Sequence, residues 1–133
     1  MPDRPPVEER KNHPRERDIL NAIFPKGYDS AKERFARKIA SEIGYAKLSE
    51  DGNGVIDEVG IDDIYPCQGF VNHTKIVEMM IYMRDNEVPG FPVGIRIGED
   101  VYLIDGHHRV SAQILMGRKT VMMRITDIRY EAT

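Results

Sequence analysis

The chain of 133 residues is 41% hydrophobic and 31% charged, a balance that supports one soluble domain of ordinary size built around one core. Its formal net charge of -3 argues against the broad positive field that drives non-specific DNA binding, and no stretch approaches the roughly 18 apolar residues that a membrane span needs. A single cysteine, Cys67, excludes an intramolecular disulfide, and the stretch 1–17 is polar rather than signal-like, so the cytoplasm is the expected location and no membrane partner is expected.

Residues 1–15 hold Pro2, Pro5, Pro6 and Pro14 among many charges, without apolar period, and read as an extended, mobile arm. Ile19, Leu20, Ile23 and Phe24 then recur at helical spacing until Pro25 and Gly27 stop the run. Ser30 with Glu33 is a capping-box signature, and Phe35, Ile39, Ile43 and Ala46 fall on one face of the longer helix behind it. Lys32, Arg34, Arg37, Lys38 and Lys47 make its other face basic, with Glu33 and Glu42 interleaved, which reads as a solvated face.

The segment 49–60 contains Asp-Gly-Asn-Gly-Val-Ile-Asp, similar to the middle of a calcium-binding EF-hand loop. Alignment on Gly54 and Ile56 leaves Ser49 at the first ligand position and Gly60 at the twelfth, so the segment reads as a glycine-rich turn without calcium.

From Val59 the pattern predicts a strand ending near Ile64, the loop Tyr65-Pro66-Cys67-Gln68-Gly69, and a helix from about Thr74 to Arg84 with Ile76, Met79, Met80 and Met83 buried. After the turn at Pro89, Gly90 and Pro92, residues 93–97 and 101–104 read as a β-hairpin joined at Gly98-Glu99-Asp100. The second strand runs into Asp105-Gly106-His107-His108-Arg109, a helix to Met116, Gly117 as its stop, and a last strand at 120–125.

A helix that starts directly after a strand presents unpaired amides with about half a positive charge, a favourable place for an anion. Gly106 allows close approach, Asp105 is placed to cap the helix, and Arg109 offers a planar fork for two phosphate oxygens. His107 and His108 add donors or proton carriers on the same turn. Beyond them Arg109 and Gln113, four apart, form the polar stripe of an otherwise apolar helix. Adjacent histidines seldom point at one ion, so no metal site is expected from them.

The order of strand, Pro-x-Gln loop, helix, hairpin, Asp-Gly-His-His-Arg helix and last strand resembles the ParB/sulfiredoxin superfamily over about residues 55–128. The similarity is strongest at Tyr102-Leu103-Ile104-Asp105-Gly106-His107-His108-Arg109-Val110 and at Gly117-x-Lys119-Thr120-Val121. The resemblance implies an α+β fold, a small mixed sheet with packed helices, at 55–133, preceded by the arm and a helical N-terminal extension at 1–54. It also implies ATP, ADP or CTP with its phosphates over the helix at the box, and bridging Mg2+.

Sulfiredoxins carry their catalytic cysteine inside this motif, where this chain has His107, so sulfinic acid repair is not expected, and Cys67 in another loop reads as inert. ParB proteins continue into a helix-turn-helix, whereas this chain ends soon after its last strand, so centromere binding is not expected. Free-serine kinases of the superfamily have the most similar box and use an acidic residue in the loop after the first strand. Gln68 stands there in this chain, and an amide cannot accept a proton at neutral pH, which leaves Asp105 or Glu78 as candidate base.

The leading expectation is a nucleotide-dependent phosphotransferase or hydrolase acting on a small-molecule or phosphate-bearing substrate. Gly106, His107, His108, Arg109 and Gln68 would line its nucleotide site, with Asp105, His107 and His108 as catalytic candidates. A ParB-like nuclease would use the same side chains on DNA or RNA, with the basic helix at 32–47 against the backbone. A non-catalytic nucleotide-sensing module would keep the pocket and engage a protein partner through its N-terminal helices.

Overall fold

The computed structural model describes residues 16–49 and 52–128; the proline-rich arm expected at 1–15 lies outside the described residues. Helices α1 (Glu16–Ile23) and α2 (Ser30–Ile43) precede strand β1 (Val55–Gly60), a 3-10 turn (Ile61–Asp63) and strand β2 (Ile64–Pro66). Helix α3 (His73–Asp85), the hairpin β3 (Val93–Ile97) and β4 (Asp100–Asp105), helix α4 (His107–Leu115) and strand β5 (Thr120–Ile128) follow. The class is α+β, with one five-stranded mixed sheet in the order β1-β5-β3-β4-β2.

In that sheet β5 is antiparallel to β1 and parallel to β3, the hairpin pairs β3 with β4 antiparallel, and β2 lies parallel to β4. The single strand predicted from Val59 to Ile64 is therefore two. β1 pairs with β5 at one edge of the sheet, β2 pairs with β4 at the other, and the 3-10 turn carries the chain between them. The apolar positions Val59, Ile61 and Ile64 look continuous in sequence because each packs toward the same core from a different element.

Alternation along β4 divides the core, since successive side chains leave opposite faces of a sheet. Val101 and Leu103 face a cluster with Val59, Val121, Met123 and Ile125, which α1 (Leu20, Ile23) with Phe24 just after it, α3 (Ile76, Met83) and α4 (Val110, Ala112) cover. Tyr102 and Ile104 face the other way, with Ile95, onto Ala36 and Ala40 of α2 and onto Leu48 and Cys67. Side chains of the N-terminal helical segment thus pack on both faces of the sheet.

The helix ends differ in detail from the sequence signals. Asp29, not Ser30, caps α2, its Oδ1 accepting from the amides of Ala31 (2.8 Å) and Lys32 (3.3 Å). Gly44, at φ 101°, ends that helix before Ala46. The buried face of α2 is set by Ala36 and Ala40 with Ile39 and Ile43 partly buried, while Phe35 stays 39% exposed. Small side chains let the helix lie close to the sheet, so its register is rotated from the face that the large apolar residues suggest.

Candidate functional site

At the β4–α4 junction Gly106 turns the chain with φ 93°, a left-handed conformation that side-chain-bearing residues avoid. A Cβ added there would stand 3.0 Å from Arg109 Nη2 and from Pro92 Cα and Cβ. Gly106→Ala is therefore expected to destabilise the fold by about 1–3 kcal/mol, measured as a lower urea midpoint at constant m. An unchanged midpoint would show that the backbone can relax there.

The two histidines of the box diverge and hold the two ends of the loop between β2 and α3. His107 is buried, and its Nε2 accepts from the Cys67 amide at 2.9 Å. His108 is half-buried, and its Nε2 accepts from the Asn72 amide at 2.9 Å, while the Asn72 side chain caps α3 by accepting from the Lys75 amide.

Burial, helped by the Arg37 and His108 charges, pushes the His107 imidazole down to about 3, and His108 is shifted down by burial and by Lys75. A neutral, buried His107 with its acceptor nitrogen occupied by the Cys67 amide holds the loop.

The remaining box residues also turn toward protein atoms. Asp105 Oδ1 accepts from the Gly106 amide at 2.9 Å, and no side chain caps α4, so the capping role expected of Asp105 is not seen. Arg109, with its side chain only 12% exposed, donates from Nη1 to the Pro89 carbonyl at 2.9 Å and places Nη2 3.8 Å from Asp105 Oδ2. The Arg109 guanidinium thereby braces the turn at Pro89.

Gln68 donates from Nε2 to the Phe70 carbonyl at 2.6 Å and stays within its own loop. Gln113 is buried and links the Arg109 carbonyl to Arg118, so the polar stripe of α4 is an internal bridge. Cys67 is fully buried, its thiol pushed up to about 12 by burial, as an inert cysteine should be.

Next to this junction a groove of about 560 Å³ runs between α3 and the start of α4, lined by Lys75, Glu78, Met79, Tyr82, Pro89 and His108. Residues 75, 78, 79 and 82 follow the i, i+3, i+4, i+7 rule and form one stripe of α3. The sequence reading named Glu78 but missed Lys75 and Tyr82, because the overlapping apolar stripe at 76, 79, 80 and 83 dominates the same helix. Among the described residues neither Lys75 nor Glu78 is ion-paired, so both charges face the groove unneutralised by a protein partner.

Among the described residues no three His, Cys, Asp or Glu side chains gather to hold a metal, and no helix is long and apolar enough to cross a membrane. No family model matches the chain, and no curated protein matches it.

Proposed function

We propose that the protein binds a nucleotide, or another phosphate-bearing small molecule, in the groove between α3 and α4 and transfers or hydrolyses a phosphoryl group there. The observation that carries this reading is the start of α4: its first turn has no side-chain cap and borders a groove that also receives the Lys75 ammonium. Lys75 neutralises phosphate charge, and Met79, Tyr82 and Pro89 give the groove an apolar wall for the rest of the ligand. Glu78 is the carboxylate placed to accept a proton or to hold Mg2+ against the phosphates. ATP, ADP and CTP all suit such a site.

A second reading, a nucleotide-sensing module without catalysis, is favoured by one observation: the Gln68 amide occupies the loop after β2 and is bonded to Phe70. The two separate in one experiment. The protein is titrated with ATP, ADP, CTP and tripolyphosphate, with and without Mg2+, while thermal stability and released phosphate are followed. A ligand at a hundred times its Kd is expected to add about 2.7 kcal/mol of stability, and Lys75→Ala to weaken binding about tenfold, the loss of one charge-assisted contact. Glu78→Gln should keep binding and lower turnover roughly 100-fold or more. Binding without turnover selects the sensing module, and no thermal shift with any of the four ligands sinks both.

A further inference from the structure

The loop between β2 and α3, residues 67–72, is tied at its two ends to neighbouring imidazoles of α4. Cys67 donates its amide to His107 Nε2 and Asn72 donates its amide to His108 Nε2, each at 2.9 Å. The two ends differ in their surroundings. At the first, both His107 and Cys67 are buried. At the second, His108 is half-buried and lines the groove.

Asn72 is the hub of this second end. Its side-chain oxygen accepts from the Lys75 amide and its carbonyl accepts from the Ile76 amide, each at 3.1 Å. The first of these bonds satisfies an amide that a helix start otherwise leaves unpaired, and the second is the first internal bond of α3. The orientation of Asn72 is therefore shared between His108 and the opening turn of α3.

Only a neutral imidazole can accept, because both ring nitrogens donate once the ring is protonated. A protonated Nε2 would face the Asn72 amide as donor against donor. Around His108, α3 brings Lys75, which opposes a second positive charge, and Glu78, which lines the same groove and has no bond to His108 among the described residues. The loop carries no charged side chain, with Cys67 its only titratable one, and on the near side of α4 Arg109 lies 3.8 Å from Asp105. His107, held down to about 3, stays neutral. Burial first and Lys75 second hold His108 below the ordinary 6.5, so the closed arrangement binds a proton less readily than a released one. The bond is at full strength above pH 6.5 and weakens as the pH falls below it.

We propose that His108 is a proton-sensitive clasp on α3: protonation takes the acceptor from the Asn72 amide and frays the cap and first turn that carry Lys75, while His107 keeps the Cys67 end fixed. Acid thereby loosens one wall of the groove, whichever ligand the groove takes.

The test is amide hydrogen exchange by NMR on the full chain without ligand, from about pH 8 to about pH 5, the window in which an imidazole titrates. After correction for the intrinsic exchange rate, Asn72, Lys75 and Ile76 should lose protection as His108 takes up its proton, by up to about tenfold per pH unit, the slope of one proton. The Cys67 amide should keep its protection across the window. His108→Gln offers Asn72 an amide oxygen and cannot titrate, so its protection should stay flat, whereas His108→Ala should be poorly protected at every pH. His73→Gln, which removes the imidazole at the first position of α3, should leave the wild-type response in place.

Constant protection in the wild type as the pH falls, a response that survives in His108→Gln, or one that disappears in His73→Gln would each overturn the clasp. No nucleotide is present in these measurements, so their failure leaves the phosphate reading of the groove standing, and failure of that reading leaves the clasp standing.

Discussion

His107→Ala is expected to lower the stability of the fold by about 2–5 kcal/mol, the range for truncating a large buried side chain. Three effects set the size. Removing a ring that is only 2% exposed opens a cavity between α4 and the loop after β2. The Cys67 amide loses its acceptor in a buried place, which costs about 1–3 kcal/mol more. Against these, His107 Nδ1 carries the proton of the neutral ring and finds no acceptor among the described residues, so its removal returns part of the loss. Urea unfolding measures the difference, and a loss below 1 kcal/mol would mean that the loop after β2 is held by other bonds.

The same histidine gives the fold a predicted pH dependence. Its folded-state value near 3 lies below the ordinary 6.5, so between those limits the unfolded chain binds the proton more readily. Stability from this group is complete above pH 6.5 and falls as the pH drops toward 3, by up to about 1.4 kcal/mol per pH unit. His107→Gln keeps an acceptor for Cys67 and cannot titrate. The wild-type curve should therefore fall away from that of the variant below pH 6.5, and parallel curves down to pH 4 would contradict the assignment.

The parts of the fold that follow from local rules were legible in the sequence. Both hairpin strands, the turn at Gly98, and α4 starting within two residues of Asp105 follow from alternation, glycine placement and helical period, and the structure has them. The division of residues 55–66 into two strands on opposite edges was not, because Val59, Ile61 and Ile64 reach one core from three elements and no local pattern records which strand each pairs with. Burial of the alanine face of α2 was hidden for a related reason. Hydrophobic period favours Phe35, while close packing on the sheet favours Ala36 and Ala40.

The site divides in the same way. Gly106 at the turn into α4 stands as the sequence indicates, while the first turn, expected to be capped by Asp105, has no side-chain cap. Side-chain direction does not follow from the order of residues. His107 and His108 are neighbours in the chain yet anchor amides five residues apart, and Arg109 points back to the Pro89 turn rather than outward. His107, His108 and Arg109 each bond the backbone of a surrounding loop. The charged residues that line the groove come from α3, whose Lys75 and Glu78 carry no motif at all.

Phe24→Ala should have an effect of similar size to that of His107→Ala, about 3–5 kcal/mol, and it tests whether the first two helices and the sheet form one folding unit. Phe24 is 1% exposed and Leu20 0%, in one cluster with Leu103, Val110 and Met123. If residues up to 54 were a separable extension on an independent domain, truncating Phe24 would loosen α1 and leave the sheet as stable as before. With a shared core, the cavity lies against β4 and α4, so the whole molecule should unfold at a lower urea concentration in one transition. Fluorescence of the tyrosines and far-ultraviolet circular dichroism should then report the same midpoint, since Tyr65 and Tyr102 sit on the sheet and much of the helix signal comes from α1 to α3. Two separated transitions, with the sheet keeping its original midpoint, would assign the N-terminal helices to a unit of their own and would remove the shared-core account of how α4 and its first turn are held in place.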